Sequence, residues 1–171
     1  MRCIKCKRKK QLVRLASLEP VCKDCFCRII EKRIRKRIRL NKLFRKGDRI
    51  LIADELSFYL IKKIIKELPV KLFLRTSADK TNKKAVKWTL DDELSAFLEN
   101  IFFGKKRSKP KQISILDVIT DNEAVMFSKI NNIKFEPNKK DKNITNILNR
   151  LEKKYPEIRF SLSRSISESR K

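Results

Sequence analysis

The sequence contains no histidine, and its only glycines are Gly47 and Gly104. Without histidine the chain has no His general base, no Ser-His-Asp triad and no His metal ligand. Two glycines so far apart cannot form a glycine-rich phosphate loop. No apolar run approaches the ~20 residues that a transmembrane helix needs, and no signal-peptide core follows Met1. We therefore expect a cytoplasmic protein that does not associate with membranes.

Positive charge is in large excess and is unevenly distributed. The 171 residues include 45 Lys and Arg against 20 Asp and Glu, a net charge of +25, and residues 1–49 hold 19 bases against four acids. Such a surplus repels itself unless anions or salt screen it. Hydrophobic residues make up 41% of the chain, which is typical of a globular core and not of a disordered tail. We interpret the charge as a nucleic-acid-binding surface. The alternative is a solvated, lysine-rich surface.

All five cysteines lie within the first 27 residues. Cys3 and Cys6 form one Cys-x2-Cys pair, Cys22 and Cys25 form a second, and 15 residues separate the pairs. This spacing is typical of structural zinc sites, in which four thiolates close the coordination sphere of one ion. We predict that these four cysteines bind a structural Zn²⁺. Cys27 is expected to be a buried or spare thiol, although it could replace Cys25, and two disulfides or an iron–sulfur cluster are the alternatives.

The pattern of apolar residues predicts an α/β domain behind the cysteines. We divide the chain into a zinc ribbon at 1–27, a basic linker helix at 28–46 and an α/β domain at 47–171. Short strands are predicted at 49–53, 70–74 and 85–88, with a strand or extended segment at 113–118. Helices are predicted at 24–44, 55–68, 91–103, 120–131 and 143–155, polar or basic loops at 76–84 and 105–111, and a fraying end at 165–171.

The first predicted helix has one apolar and one basic face. Apolar residues recur every four positions from Phe26 to Ile38, and six bases fall within residues 32–39. Such a basic face is suited to contact a row of phosphates. Because the helix offers few aromatic side chains for base stacking, we expect it to bind folded, backbone-rich RNA. The predicted RNA contacts lie in this helix and beside the first cysteine pair: Lys7, Arg8, Lys9, Lys10, Arg33, Lys36, Arg37 and Lys42.

Four segments, taken in order, resemble the tRNA 2-thiolation branch of the PP-loop ATPase family, which includes the cytosolic thiouridylases. They are the cysteine pairs with the basic helix, residues 47–53 (GDRILIA), residues 90–104 with their LDDE sequence, and residues 151–156 (LEKKYP) followed by SRS at 163–165. The resemblance implies a truncated PP-loop (Rossmann-like) parallel sheet, preceded by an N-terminal zinc ribbon and a long basic linker helix.

The catalytic features of that family are missing here. Its SGGxDS loop, whose glycine amides bind pyrophosphate, corresponds to residues 53–57 (ADELS), where two carboxylates would repel ATP phosphates. Its His-Asn pair corresponds to Trp88 and Thr89, and no cysteine follows Cys27 to act in catalysis or bind a cluster. The chain therefore resembles the non-catalytic second subunit of the cytosolic thiouridylases, which implies no catalytic and no cofactor-binding residues.

Three functions are compatible with these features. The first is a non-catalytic, tRNA-binding accessory subunit for 2-thiolation of the wobble uridine, in a heterodimer with an active PP-loop thiolase or as a homodimer. The second is a stand-alone zinc-ribbon nucleic-acid-binding protein, and the third is an active thiolation enzyme with an unfamiliar loop. For such an enzyme, Asp91, Asp92 and Glu93 could hold Mg²⁺, but at a helix start they are expected to be cap and dipole partners.

Overall fold

The computed structural model describes residues 2–15, 18–66, 68–74, 81–104 and 112–169. The predicted loop at 105–111, most of the predicted loop at 76–84 and the last two residues of the predicted fraying end lie outside these ranges. None of the helices in the described ranges is long and apolar enough to cross a membrane.

The elements alternate as expected for an α/β protein. A β-hairpin comes first, followed by a long helix, a parallel sheet and further helices. In chain order the elements are β1 (Leu12–Leu15), β2 (Leu18–Cys22), α1 (Lys23–Leu40), β3 (Arg49–Ile52), α2 (Glu55–Ile64), β4 (Lys71–Leu74), β5 (Lys83–Ala85), α3 (Leu90–Phe103), α4 (Asp121–Ile130), α5 (Lys142–Lys154) and α6 (Ile158–Ser169).

The N-terminal hairpin packs directly against α1. Strand β1 pairs antiparallel with β2, so that Leu12 lies opposite Cys22 and Val13 opposite Val21. The apolar stripe predicted for α1 is buried, including Phe26 and Ile30. These residues belong to one hydrophobic cluster that continues into the parallel sheet, so the hairpin shares its core with the rest of the fold.

The parallel sheet has β3 at its centre, with β4 and β5 on either side. Ile50 and Ile52 of β3 are fully buried, because α2 and the neighbouring segments cover the strand. In the β5 register, Ile52 lies opposite Ala85, so the carboxyl ends of both strands meet at one edge. The predicted α/β architecture with a parallel sheet is confirmed.

A second hydrophobic cluster lies between α3, α5 and α6. Its core includes Leu94 of α3, Leu148 of α5 and Ile166 of α6. The expectation that the chain frays from residue 165 is wrong, because α6 continues to Ser169. Serine has a modest helix propensity. Because α6 contains repeated serines and few apolar residues, its sequence has no clear helical pattern. Packing of Ile166 and burial of the Arg159 side chain stabilise this helix instead.

Two predicted strands differ from the observed ones. Strand β5 lies at Lys83–Ala85 and not at 85–88, and the segment 113–118 contributes only an isolated parallel bridge from Ile113 to Ala85. Lys83 is part of the strand because its Nζ lies 2.6 Å from a carboxylate oxygen of Asp48 and donates to the backbone oxygen of Leu43. Because two of the three residues of β5 are lysines, the sequence has no apolar pattern there from which the strand could be predicted.

Helix α1 ends at Leu40, earlier than predicted, because Lys42 adopts a left-handed conformation with φ of 46°. The N–H of Leu43 donates to the carbonyl oxygen of Ile38, and that of Lys42 donates to the carbonyl oxygen of Arg39. These two bonds form a Schellman motif, in which the left-handed position is usually a glycine. Lys42 therefore occupies a backbone conformation that a side chain disfavours.

We expect Lys42→Gly to raise the free energy of unfolding by about 1 kcal/mol, because a residue with a Cβ is strained in the left-handed region. Denaturant unfolding followed by circular dichroism measures the change. Lys36→Gly, in the exposed middle of the same helix, is the matched control and should lower stability by about 1 kcal/mol. Equal destabilisation by both substitutions would contradict the strain at Lys42.

Candidate functional site

Four cysteine side chains converge where the β1–β2 hairpin meets α1. The Sγ atoms of these predicted ligands all lie within 4.8 Å of one another, and those of Cys6 and Cys22 are 3.7 Å apart. A tetrahedral ion with Zn–S bonds of ~2.3 Å would place its sulfurs about 3.8 Å apart. All five cysteines are free thiols in the structure. The group that fits a metal ion is Cys3, Cys6, Cys22 and Cys25.

Local backbone geometry aims the two cysteine pairs at each other. In the first pair, the N–H of Lys7 donates to the carbonyl oxygen of Cys3, and Lys7 takes a left-handed conformation with φ of 61°. In the second pair, Cys22 ends β2 and precedes the first residue of α1, which places Cys25 in the first helical turn. The amino terminus of α1 thus lies beside the sulfurs, where its dipole favours thiolates.

The surroundings shift the pKa values of two of these thiols in opposite directions. Burial would raise the pKa of Cys3, but hydrogen bonds from the backbone at Cys6, Cys22 and Lys5 outweigh it and lower the pKa to about 6. Burial and the neighbouring cysteines raise the pKa of Cys25 to about 12. A metal ion binds thiolates, so ligation by these four cysteines requires that any thiol protons be released.

The fifth cysteine lies outside this cluster. Cys27 is half-buried, and the Nδ2 of Asn131 donates to its Sγ at 3.6 Å. Asn131 in turn accepts a hydrogen bond from the hydroxyl of Tyr59. Burial raises the pKa of Cys27. Cys27 thus contacts the end of α4, and Cys25 is the fourth member of the sulfur cluster.

Two of the predicted RNA contacts hold α1 against the rest of the domain. Arg33 lies 2.7 Å from the fully buried carboxylate of Glu123 in α4, and its guanidinium stacks 4.9 Å from the ring centre of Phe160. Arg37 forms two hydrogen bonds with Asp117, at 2.6 and 2.9 Å. A phosphate would have to compete with these carboxylates for either guanidinium, so both arginines have a structural role that the sequence did not reveal.

The other predicted RNA contacts lie on the surface. Lys36 and Lys42 are exposed on and just after α1, and Lys10 pairs with Asp24 at 2.5 Å. The pKa of Asp24 is lowered by Lys10 first, and then by the charges of Arg28 and Arg8. Bases from the ribbon and from α1 therefore lie near the same carboxylate, that of Asp24. The remaining predicted contacts are also exposed: Lys7, Arg8 and Lys9.

The carboxyl end of β3 carries a buried aspartate. The carboxylate of Asp54 accepts a hydrogen bond from the N–H of Ser57 at 2.8 Å and so caps the amino terminus of α2. Asp54 is only 5% exposed, and burial raises its pKa. It borders an open cavity of about 370 Å³ that is also lined by Lys87 and Lys134. The helix end that could receive an anion thus already has a carboxylate from its own chain.

The acidic residues at the start of α3 have internal partners. Thr89 and Asp92 form a capping box, as an aspartate at a helix start favours. Asp91 pairs with Arg159, and Lys140 bridges Asp92 at 2.9 Å and Asp121 at 2.7 Å. The two buried cations take the place that a metal ion could otherwise have. Sequence reasoning predicted the cap but missed Lys140 and Arg159, which follow this run by dozens of residues.

Comparison with known proteins finds a match in fold. No family model matches the sequence, and neither does any curated protein. The structure is similar to the U34-tRNA thiolase NcsA from Methanococcus maripaludis with its 4Fe–4S cluster, with a TM-score of 0.71 and 16% sequence identity over 98% of this chain and 86% of that chain. At this identity the likeness concerns architecture alone. The chain has the α/β fold of a PP-loop tRNA thiolase, with an N-terminal cluster of four cysteines.

Proposed function

We propose that this protein is a non-catalytic, tRNA-binding accessory subunit in 2-thiolation of the tRNA wobble uridine. The observation that carries the proposal is the position of Asp54 at the end of β3, in a fold similar to that of a tRNA thiolase. By resemblance to the thiolation branch of the PP-loop family, the pyrophosphate-binding loop of active members would correspond to this point of the chain. The buried carboxylate of Asp54 occupies the N–H of Ser57, a backbone donor at a helix start of the kind that binds phosphate.

Electrostatics explains why Asp54 opposes nucleotide binding. An ionised carboxylate a few ångströms from a phosphate repels it by roughly 4 kcal/mol at the effective dielectric constant of a protein surface. When Asp54 is protonated, the repulsion is lost, but the side chain still occupies the space and the N–H of Ser57 is still bonded. In either protonation state, therefore, the N–H of Ser57 is not free to donate to a phosphate.

We also propose that the cysteine cluster binds a structural Zn²⁺. A single tetrahedral ion suits the 3.7 Å separation of the Cys6 and Cys22 sulfurs and closes its coordination sphere with four thiolates. In a 4Fe–4S cluster each cysteine binds a different iron, so the ligand sulfurs lie farther apart than around one ion. The bound zinc would fix the hairpin to α1 and supply no chemistry.

The proposal includes two binding partners, a tRNA and an active PP-loop thiolase. The exposed bases of the ribbon and of α1 support contact with a polyanion, and a net charge of +25 supports strong electrostatic attraction to it. Since this chain supplies no nucleotide site in our proposal, a second PP-loop thiolase would adenylate and thiolate the uridine. That partner forms a heterodimer with this chain, and a homodimer is the alternative assembly.

The purified full-length chain is expected to bind tRNA but not ATP. Isothermal titration with Mg·ATP should give no binding heat, and pyrophosphate release should equal that of a protein-free blank. Addition of the chain to an active PP-loop thiolase should increase 2-thiouridine formation, measured by mass spectrometry of digested tRNA. Pull-down from native extract should recover that thiolase together with tRNA.

Two outcomes contradict this proposal. ATP hydrolysis by the chain alone would show that the nucleotide site is intact. Binding of RNA without any protein partner and without any effect on thiolation would identify a stand-alone nucleic-acid-binding protein.

A further inference from the structure

Helix α1 has three faces with different contacts. Its apolar face is buried, and its flank carries Arg33 and Arg37, which are paired with carboxylates of the domain. The third face carries bases at intervals of three and four residues, which places them in one row along the helix. We call this row the cationic stripe, and all its members are exposed: Arg28, Lys32, Arg35, Lys36 and Arg39.

The cationic stripe lines one side of an open groove. A cavity of about 470 Å³ is bordered by all five stripe residues and by Glu31. A second cavity of about 520 Å³ is bordered by Arg35 and by residues of α2 and the turn after it, including Lys63 and Lys66. Arg35 borders both cavities, so the two adjoin at this residue, and we call them together the groove.

The charge of this groove is almost entirely positive. Glu31 is its acidic member, and the Nζ of Lys63 lies 2.7 Å from the Glu31 carboxylate. That side chain is 15% exposed, so its charge is both neutralised and largely covered. Among the residues that the structure describes, the stripe bases form no ion pair with a carboxylate. The groove thus presents a row of cations to the solvent.

We propose that this groove binds the sugar–phosphate backbone of a double-helical RNA stem. The stripe runs from Arg28 to Arg39 and so rises by about 16 Å at 1.5 Å per residue, which suits contact with several successive phosphates. Among the described residues that border the groove, there is no aromatic side chain on which an unpaired base could stack. Double-stranded RNA, in contrast, is recognised through its shape and backbone. This inference rests on the proposed function, since it names the part of the tRNA and the surface that binds it.

Binding of a short RNA hairpin by the full-length chain tests the inference, with an unpaired RNA of equal length as the second ligand. The stripe variant is Lys32→Ala/Arg35→Ala/Arg39→Ala. Its matched control is Arg150→Ala/Lys153→Ala/Lys154→Ala, which removes the same charge from exposed positions of α5. Alanine is a strong helix former, so both variants should fold, as circular dichroism can verify.

The stripe variant is expected to bind the hairpin roughly a hundredfold more weakly at 0.15 M salt, because each lost phosphate contact costs about fivefold at a salt slope of ~0.9. Its slope of log K against log salt should fall by about three. The control variant should lose only a few-fold, through the change in net charge. Glu31→Gln should raise the affinity, because it removes the carboxylate found among the described residues that border the groove and frees Lys63.

Two results would overturn the inference: equal losses in the stripe and control variants, or equal affinities for the hairpin and the unpaired RNA. Failure of the proposed function is a separate result. If the wild-type chain binds hairpins through the stripe but leaves thiolation unchanged, RNA binding by the groove is supported and the accessory role in thiolation is contradicted. If the wild-type chain promotes thiolation and the stripe variant does so equally well, the accessory role is supported and RNA binding by the groove is contradicted.

Discussion

Replacing Cys6 or Cys22 with serine is expected to abolish metal binding and to unfold the N-terminal hairpin. The hairpin buries few apolar residues of its own, of which Val13 and Val21 are the main ones. A metal-bound site of this kind contributes on the order of 10–16 kcal/mol to the folding of small zinc domains. Without the metal, the sulfurs of Cys6 and Cys22 would be joined across 3.7 Å only by a weak S–H···S hydrogen bond. The free energy that orders the hairpin is therefore mostly the free energy of metal binding.

Metal analysis and limited proteolysis measure this effect. The wild-type chain should contain one zinc per chain and show no visible absorption band, whereas a 4Fe–4S cluster would give the protein a brown colour and contradict the zinc assignment. Cys27→Ser is the matched control, because Cys27 contacts Asn131 outside the sulfur cluster, and it should retain full metal content. Retention of stoichiometric zinc and of protease resistance in Cys6→Ser would refute the four-cysteine site.

The metal cluster could be predicted from the sequence because its ligands are close in the chain. Each Cys-x2-Cys pair forms a local turn, and the hairpin needs only the 15 residues between the pairs to bring them together. The buried stripe of α1 and the capping boxes at Thr89 and Thr120 depend on spacings of three and four residues, and the structure contains them. Local spacing therefore specified the buried stripe of α1, the capped helix starts and the cysteine cluster.

Which bases of α1 pair with carboxylates of the domain and which face the solvent could not be predicted in the same way. Arg33 and Arg37 have the same side chain as Arg35, and they differ only in which face of the helix they occupy. Their partners Glu123 and Asp117 lie 90 and 80 residues away along the chain. No periodic pattern connects positions at such distances. The sequence could therefore locate the basic helix but could not separate bases that hold the fold from bases that face the solvent.

The buried arginine of α6 has the second large expected effect. Arg159→Met should lower the free energy of unfolding by about 3–5 kcal/mol, because removal of one partner leaves buried carboxylates without a counter-charge. Arg159 pairs with Asp91 and lies 3.1 Å from Glu152, and its Nη2 donates to Asn149. The guanidinium thereby joins three helices, α3, α5 and α6. Methionine fills a similar volume, so the loss reflects charge and hydrogen bonds more than a cavity.

Denaturant unfolding of matched variants separates this effect from helix disruption. Arg164→Ala changes an exposed arginine of the same helix and should alter stability by less than about 0.5 kcal/mol. The double variant Arg159→Met/Asp91→Asn should recover part of the loss, because it removes one of the two stranded charges. If Arg159→Met were as stable as Arg164→Ala, Asp91 and Glu152 would not depend on this guanidinium. In that case apolar packing of Ile166 against α3 and α5 would be enough to hold α6 in place.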